Sequence, residues 1–195
     1  MNNPALYVKS NPFQRRDAQL VLKKYGPQLA PGLAVLDVGC GTGDLTVDIL
    51  AQACGDFRLL LGVDLSSHMV DFARRNFQTD RIFFDQLDIA TTEVSTFRAR
   101  WGSFDRIYSF YCLHWVKDLN RAVGNLGSLL ATGGEMLLVF LAHNPIFEVY
   151  QRMAATSRWK VYMEVSILLN GDLLNTNIHK TCLVISCSDV LLQFT

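Results

Sequence analysis

The sequence predicts one α/β domain, a Rossmann-like and mostly parallel sheet with helices on both faces, and three observations predict it. From residue 13 onward, short apolar strand-like runs alternate with segments of helical period. A glycine-rich loop directly follows the first of those strands. The 195 residues, 50% of them apolar, suffice for one sizeable core but not for a second full domain.

Each element has its own signal. Ala18, Val21, Leu22 and Tyr25 recur at helical spacing while Arg15, Arg16, Gln19 and Lys23 turn elsewhere, giving an amphipathic first helix that Pro27 and Pro31 end. Residues 33–38 read as a buried strand and 44–53 as the helix after it. Residues 59–63 form the second strand, and Ser66 or Ser67 offers a hydroxyl N-cap to a helix over 67–77. A third strand starts at 81–84 and a fourth spans 104–110. Leu119, Ala122, Val123, Leu126 and Leu130 then mark one helix face, with Thr132-Gly133-Gly134 as its stop. Residues 135–141 are the fifth strand, and Pro145 opens a helix through about Tyr162.

Eighteen basic side chains balance eighteen acidic ones, so net charge draws the chain toward neither nucleic acid nor a membrane surface. A small molecule is the expected partner, and no feature fixes an oligomeric state. Residues 1–17 are polar and charged, and the densest apolar run, 136–142, is too short to span a bilayer, which predicts a cytoplasmic protein. Five cysteines form an odd set without CxxC pairs, which suits a reduced compartment and indicates no metal site.

Val35-Leu36-Asp37-Val38-Gly39-Cys40-Gly41-Thr42-Gly43 places three alternate glycines between a strand and a helix. A side chain there would block a ligand's approach to the backbone and penalise positive φ, so the loop is read as a ligand cradle and not as a structural turn alone. A dinucleotide loop would need GxGxxG, but position 44 is Asp44, so the register is GxGxG. Asp64 ends the second strand, where a carboxylate can accept from two ribose hydroxyls; taken alone, an Asp there is a turn residue.

The GxGxG loop with Asp37 ahead of it resembles motif I of class I S-adenosylmethionine-dependent methyltransferases. The resemblance implies S-adenosyl-L-methionine as cofactor, with Gly39, Gly41 and Gly43 in its loop and Asp37 holding the methionine ammonium group. It adds Leu65 beside Asp64, gives Asp88 the adenine amino group with Ile89 covering the ring, and sets the backbone of Ser109 at the sulfonium end. Asp88 also reads as a local cap.

A narrower resemblance rests on three segments: residues 1–7; Gln14 with Arg16-Asp17-Ala18; and Ser109-Phe110-Tyr111-Cys112-Leu113-His114-Trp115-Val116 with Phe140-Leu141-Ala142, Asn144-Pro145 and Glu148-Val149-Tyr150. Together these look like insect juvenile hormone acid O-methyltransferases over residues 1–163. That resemblance implies methyl transfer to the carboxylate of a farnesoic or juvenile hormone type sesquiterpenoid acid, giving a methyl ester. A carboxylic acid is already ionised at neutral pH, so positioning takes the place of a general base. Neutral N–H donors suit that task, and Gln14 and Trp115 are the candidates; the plainer readings are a satisfied helix-start amide and a core indole. His114 is read as packed, not as a base. Phe13, Phe110, Tyr111, Phe140, Phe147, Tyr150, Trp159 and Tyr162 could line a pocket for the isoprenoid tail.

Residues 164–195 lose the family match, leaving the C-terminal part of the expected sheet incomplete; within them 179–186 and 190–194 are β-prone enough to pair at a sheet edge. A cofactor-binding but inactive form is therefore the second reading, and a nucleotide-dependent oxidoreductase the third.

Overall fold

The computed structural model of the chain describes residues 4–26, 31–141, 152–153, 155–160, 181–186 and 189–191. Helices α1 (Pro4–Ser10) and α2 (Pro12–Tyr25) precede strand β1 (Leu33–Val38). A π-helical turn over Thr46–Leu50 runs into α3 (Ala51–Cys54), followed by β2 (Phe57–Asp64), α4 (Ser67–Phe77) and β3 (Ile82–Gln86). Then come α5 (Val94–Trp101), β4 (Phe104–Phe110), a 3₁₀ turn (Leu113–Trp115), α6 (Leu119–Leu129) and β5 (Leu130–Phe140). A short α7 (Ser157–Lys160) and the strands β6 (Thr181–Ser186) and β7 (Asp189–Leu191) complete the described elements.

The sheet order is β3-β2-β1-β4-β5-β6-β7. The first five strands pair in parallel, while β5–β6 and β6–β7 pair antiparallel. Strand order reverses between β1 and β4, so their carboxyl ends diverge and leave a crevice above the sheet.

Alternation along each strand builds two cores. Val35, Leu60 and Tyr108 pack under α2, α3 and α4, while Leu36, Leu61 and Ile107 pack under α5 and α6. Both faces are covered, which is why these strands read as continuous apolar runs. Edge strand β3 is closed by Asp85, whose carboxylate meets Arg74 at 2.8 Å, Arg100 at 3.0 Å and the Trp101 indole N–H at 2.9 Å.

Four features differ from the expectations. Helix α1 has no buried residue and α5 buries only Phe97, so neither carries the apolar period that would announce a helix. Ser66 is the N-cap of α4 by position, yet its side chain makes no capping bond. Helix α6 stops at Leu129, and Thr132-Gly133-Gly134 lies inside β5. There the pairing with β4 slips from Phe104↔Leu130 to Arg106↔Glu135, and Gly133 takes φ +74° to absorb the extra residues. The tail does supply edge strands, β6 and β7. Most of the helix expected from Pro145 to about Tyr162 lies outside the described residues.

Candidate functional site

The glycine loop leaves β1 at the reversal point, pinned by the Gly39 and Cys40 N–H groups, which both donate to the Val63 carbonyl at 2.7 and 3.0 Å. Gly39, Gly41 and Gly43 have φ of +80°, +54° and +79°, a region that L side chains rarely adopt. The neighbours of the three differ. A Cβ on Gly39 would run into the Cys112 side chain, and one on Gly43 would sit 2.8 Å from Phe84 and 2.9 Å from Ala73. A Cβ on Gly41 would meet no backbone or core side chain but the ring of Tyr7, 3.2 Å from its Cε1. All three thus meet the positive-φ requirement read from the sequence, and at Gly39 and Gly43 the missing side chain also lets neighbouring elements approach.

Three carboxylates surround this loop. Asp37, buried near the end of β1, accepts from the Thr46 hydroxyl at 2.6 Å. Burial pushes its pKa up to about 7, with the Thr46 bond opposing and the Asp64 charge adding to the rise. Asp64 accepts from Gly41 N–H at 3.0 Å and from Ser66 N–H at 2.9 Å, one bond per oxygen. A carboxylate has about four lone-pair sites, so each oxygen retains a further acceptor position.

Asp44 ties the loop to α2. It accepts from Thr42 at 2.5 Å, Arg15 at 2.6 Å and the Asn11 amide at 3.1 Å, while Arg15 also reaches Asp48 at 2.9 Å. Burial works against the Asp44 charge, but these bonds and the guanidinium outweigh it and hold the carboxyl below its usual range.

Tyr7 on α1 stands over Gly41, and burial, followed by the charges of Asp44, Asp64 and Asp37, pushes its phenol up to about 12. Beneath it is a cavity of about 10 Å³, lined by Asn11, Gln14, Asp37, Gly39 and Phe110 among others. That is room for about one water molecule. The side-chain oxygens of Asn11 and Gln14 are buried without a hydrogen-bond partner. With Tyr7 in this position the cavity holds no nucleoside-sized ligand. A wider groove of about 390 Å³ between α2 and the π-turn, over Tyr108, contains none of the predicted site residues.

The remaining candidates fall in several places. Leu65 is exposed next to Asp64. Asp88 is exposed and accepts from Ala90 N–H at 2.9 Å in a local turn; it does not cap the next helix, whose N-cap position is Glu93. Ile89 packs in the core, and its carbonyl accepts from Asn125 at 2.7 Å. Ser109 is fully buried and its hydroxyl donates to the Val38 carbonyl at 2.9 Å, tying β4 to β1.

Gln14 lines the cavity, but Trp115 does not: it is 63% exposed on the 3₁₀ turn, its ring 5.0 Å from His114. His114 keeps a buried Nδ1 without a partner, and burial pushes its pKa down to about 4, so it is neutral at pH 7. Tyr111, directly after β4, has φ +55° and donates its hydroxyl to Asp17 on α2 at 2.5 Å. Of the proposed tail-pocket aromatics, Phe110 and Phe140 are core and Phe13 is exposed; Phe147, Tyr150, Tyr162 and the Trp159 side chain lie outside the described residues.

Sequence reasoning did not single out Tyr7, Asn11, Asp44 or Thr46 as parts of the site. Asn11 before Pro12 is a helix-start signal, yet its side chain makes no capping bond and turns to Asp44, and neither that contact nor the reach of Tyr7 over Gly41 has a local signature. Among the described residues there is no cluster of metal-ligating side chains, and no helix is long and apolar enough to cross a membrane.

The acceptor set fits a cation. Three acidic side chains with a single paired guanidinium and two unpartnered amide oxygens suit a positively charged ligand with N–H groups and oppose a pyrophosphate. Comparison with known proteins agrees with that chemistry. The model of the methyltransferase domain matches residues 35–134. The chain is 38% identical to the juvenile hormone acid O-methyltransferase of Drosophila melanogaster over 84% of its own length and 57% of the relative's. It is 36% identical to the Bombyx mori enzyme of the same name, over 84% of the chain and 59% of the relative. The chain thus spans less than two thirds of these curated relatives. Among solved structures, an S-adenosylmethionine-dependent methyltransferase from Mesorhizobium loti superposes with TM-score 0.51 and 26% identity, over 67% of this chain and 56% of that one. The chain therefore belongs to the methyltransferase-domain family and carries its Rossmann-like sheet.

Proposed function

We propose that the protein binds S-adenosyl-L-methionine in the crevice above β1 and β4 and directs methyl transfer to the carboxylate of a sesquiterpenoid acid, yielding a methyl ester and S-adenosylhomocysteine. The observation that carries the reading is the convergence of Asp37, Asp44 and Asp64 on a glycine loop whose Gly41 sits under Tyr7. The similarity to two enzymes named for juvenile hormone acid supports the choice of acceptor. When bound, the cofactor supplies an electrophilic methyl group on a positively charged sulfur.

The chain's own residues do the rest. Asp64 offers its remaining lone pairs to ribose hydroxyls, and its two backbone bonds keep it aimed. Asp37 faces the ammonium, Asp88 the adenine amino group, Leu65 and Ile89 flank the base, and the Ser109 backbone borders the sulfonium. Gly39 and Gly43 let the loop sit close to Cys112, Phe84 and Ala73, and Tyr7 swings off Gly41 on entry.

An acid with a pKa near 4–5 arrives ionised at neutral pH, so no side chain has to remove a proton. Neutral His114 agrees with that requirement. No bond anchors the Gln14 amide, whose oxygen is buried without a partner, so a half-turn of its terminal bond presents N–H donors to a carboxylate. Trp115 contributes its indole N–H from the 3₁₀ turn, moving inward from its exposed position. Desolvation of the carboxylate beside the cationic methyl donor supplies the remaining driving force.

The test is incubation of the protein with methyl-labelled S-adenosyl-L-methionine and farnesoic acid. Labelled methyl farnesoate is the expected product. Tight binding of S-adenosylhomocysteine with no ester would leave a cofactor-binding protein that does not turn over this acid, and binding of NAD in its place would overturn the reading.

A further inference from the structure

Asn11, the residue between α1 and α2, is 2% exposed, and the proposed function gives it no named contact. Its amide orientation is dictated from outside. Asp44 is held ionised by Arg15 and Thr42, so it can only accept, and Asn11 must turn its NH2 toward it, 3.1 Å from one oxygen and 3.4 Å from the other. The carbonyl Oδ1 is thereby forced the opposite way and is buried with no partner, and Asn11 is one of the residues that line the small cavity with Asp37 and Gly39.

A buried amide oxygen fixed in this way calls for a donor. The acid substrate cannot supply one, because its carboxylate only accepts. A sulfonium carries no N–H either. A compact ammonium group does, and it would find Asp37 and Asn11 on the same small cavity. Gln14 differs on this point, because nothing anchors its amide and it can present either end.

We propose that the Asn11 carbonyl oxygen accepts a hydrogen bond from the α-ammonium of the cofactor's methionine portion, and that Asp44, with Arg15 and Thr42, sets the polarity of that amide. The inference rests on the cofactor reading and adds a selectivity: the site should distinguish an adenosyl thioether with an amine from one without it.

The experiment is calorimetry with S-adenosylhomocysteine and with its deaminated analogue, S-adenosyl-4-thiobutyrate. Wild-type protein should prefer the amine. Asn11→Leu should weaken S-adenosylhomocysteine by about 10- to 100-fold, the range for a hydrogen bond to a charged group, while changing the analogue by less than about threefold. Equal losses on both ligands would make Asn11 a packing residue, and no loss on either would leave its oxygen to a bound water only; either result overturns the proposal. Should Asn11→Leu fail to fold, Asp44→Asn removes the charge that dictates the amide's direction and should shrink the preference by about three- to tenfold. An unchanged preference in that variant overturns it too. Wild-type protein that binds neither compound would sink the cofactor reading itself, a distinct outcome.

Discussion

The two walls of the crevice are satisfied to different degrees. On the sheet side, Asp64 accepts two backbone N–H groups, Asp88 accepts one, and Ser109 is bonded to the neighbouring strand. On the α2 side, Asn11 and Gln14 each keep a buried oxygen without a partner, and His114 after β4 keeps a buried ring nitrogen in the same condition. Buried polar atoms are almost always paired in a finished structure. The contrast teaches that the sheet wall is pre-set by its own backbone, while the helix wall keeps buried acceptors open. On the proposed reading, nucleoside recognition belongs to the first wall and choice of substituent to the second.

The largest effect should come from breaking the sheet wall. Gly41→Val puts a branched side chain at φ +54° in space already bordered by Tyr7, and S-adenosylhomocysteine affinity should fall at least about 100-fold by calorimetry. Retained affinity with an unchanged circular dichroism spectrum would remove Gly41 from the cradle.

Next in size is the acid titration of Asp37. Its folded-state pKa is raised to about 7, so the ligand-free fold binds the extra proton. Stability from this group is therefore full below about pH 4 and declines as pH rises toward 7. A cationic ligand needs the ionised form, so affinity should climb by up to about tenfold per unit between pH 5 and 7 and then level off. Asp37→Asn should flatten that profile, and a mutant profile parallel to wild type would place the titration elsewhere.

Gln14→Ala sharpens the comparison from the other wall. Ester formation should slow by about tenfold or more through loss of a hydrogen bond to a charged group, with S-adenosylhomocysteine affinity within about twofold of wild type. A joint loss would make the amide structural. The smallest effect is expected from Gly43→Ala, which crowds Phe84 and Ala73 without entering the crevice. It should lower the melting temperature by a few degrees, consistent with about 1–3 kcal/mol of overpacking, and leave the ratio of ligand affinities alone. A changed ratio would mean that Gly43 borders the ligand.

The parallel sheet was legible because its strands are buried on both faces and its helices α2, α4 and α6 carry apolar stripes. The glycine loop was legible because φ above zero at three alternate positions admits little else. What was hidden depends on contacts distant in sequence. The reach of Tyr7 over Gly41 and the clamp of Arg15 on Asp44 join α1 and α2 to a loop with no local pattern to mark the contact. Asp44 was read as the absence of a glycine, although its carboxylate organises Asn11, Arg15 and Thr42. For Trp115 the plainer reading as a core indole does not hold, since the side chain stands 63% exposed.

Tyr111 holds a left-handed backbone that glycine would occupy without strain. A strain of order 1 kcal/mol or more persists there while the phenol reaches across to Asp17. The loop after β4 and helix α2 are thereby tied together by one hydrogen bond. On the proposed reading, the helix that carries Gln14 and the loop that carries Trp115 are held to each other by that tie.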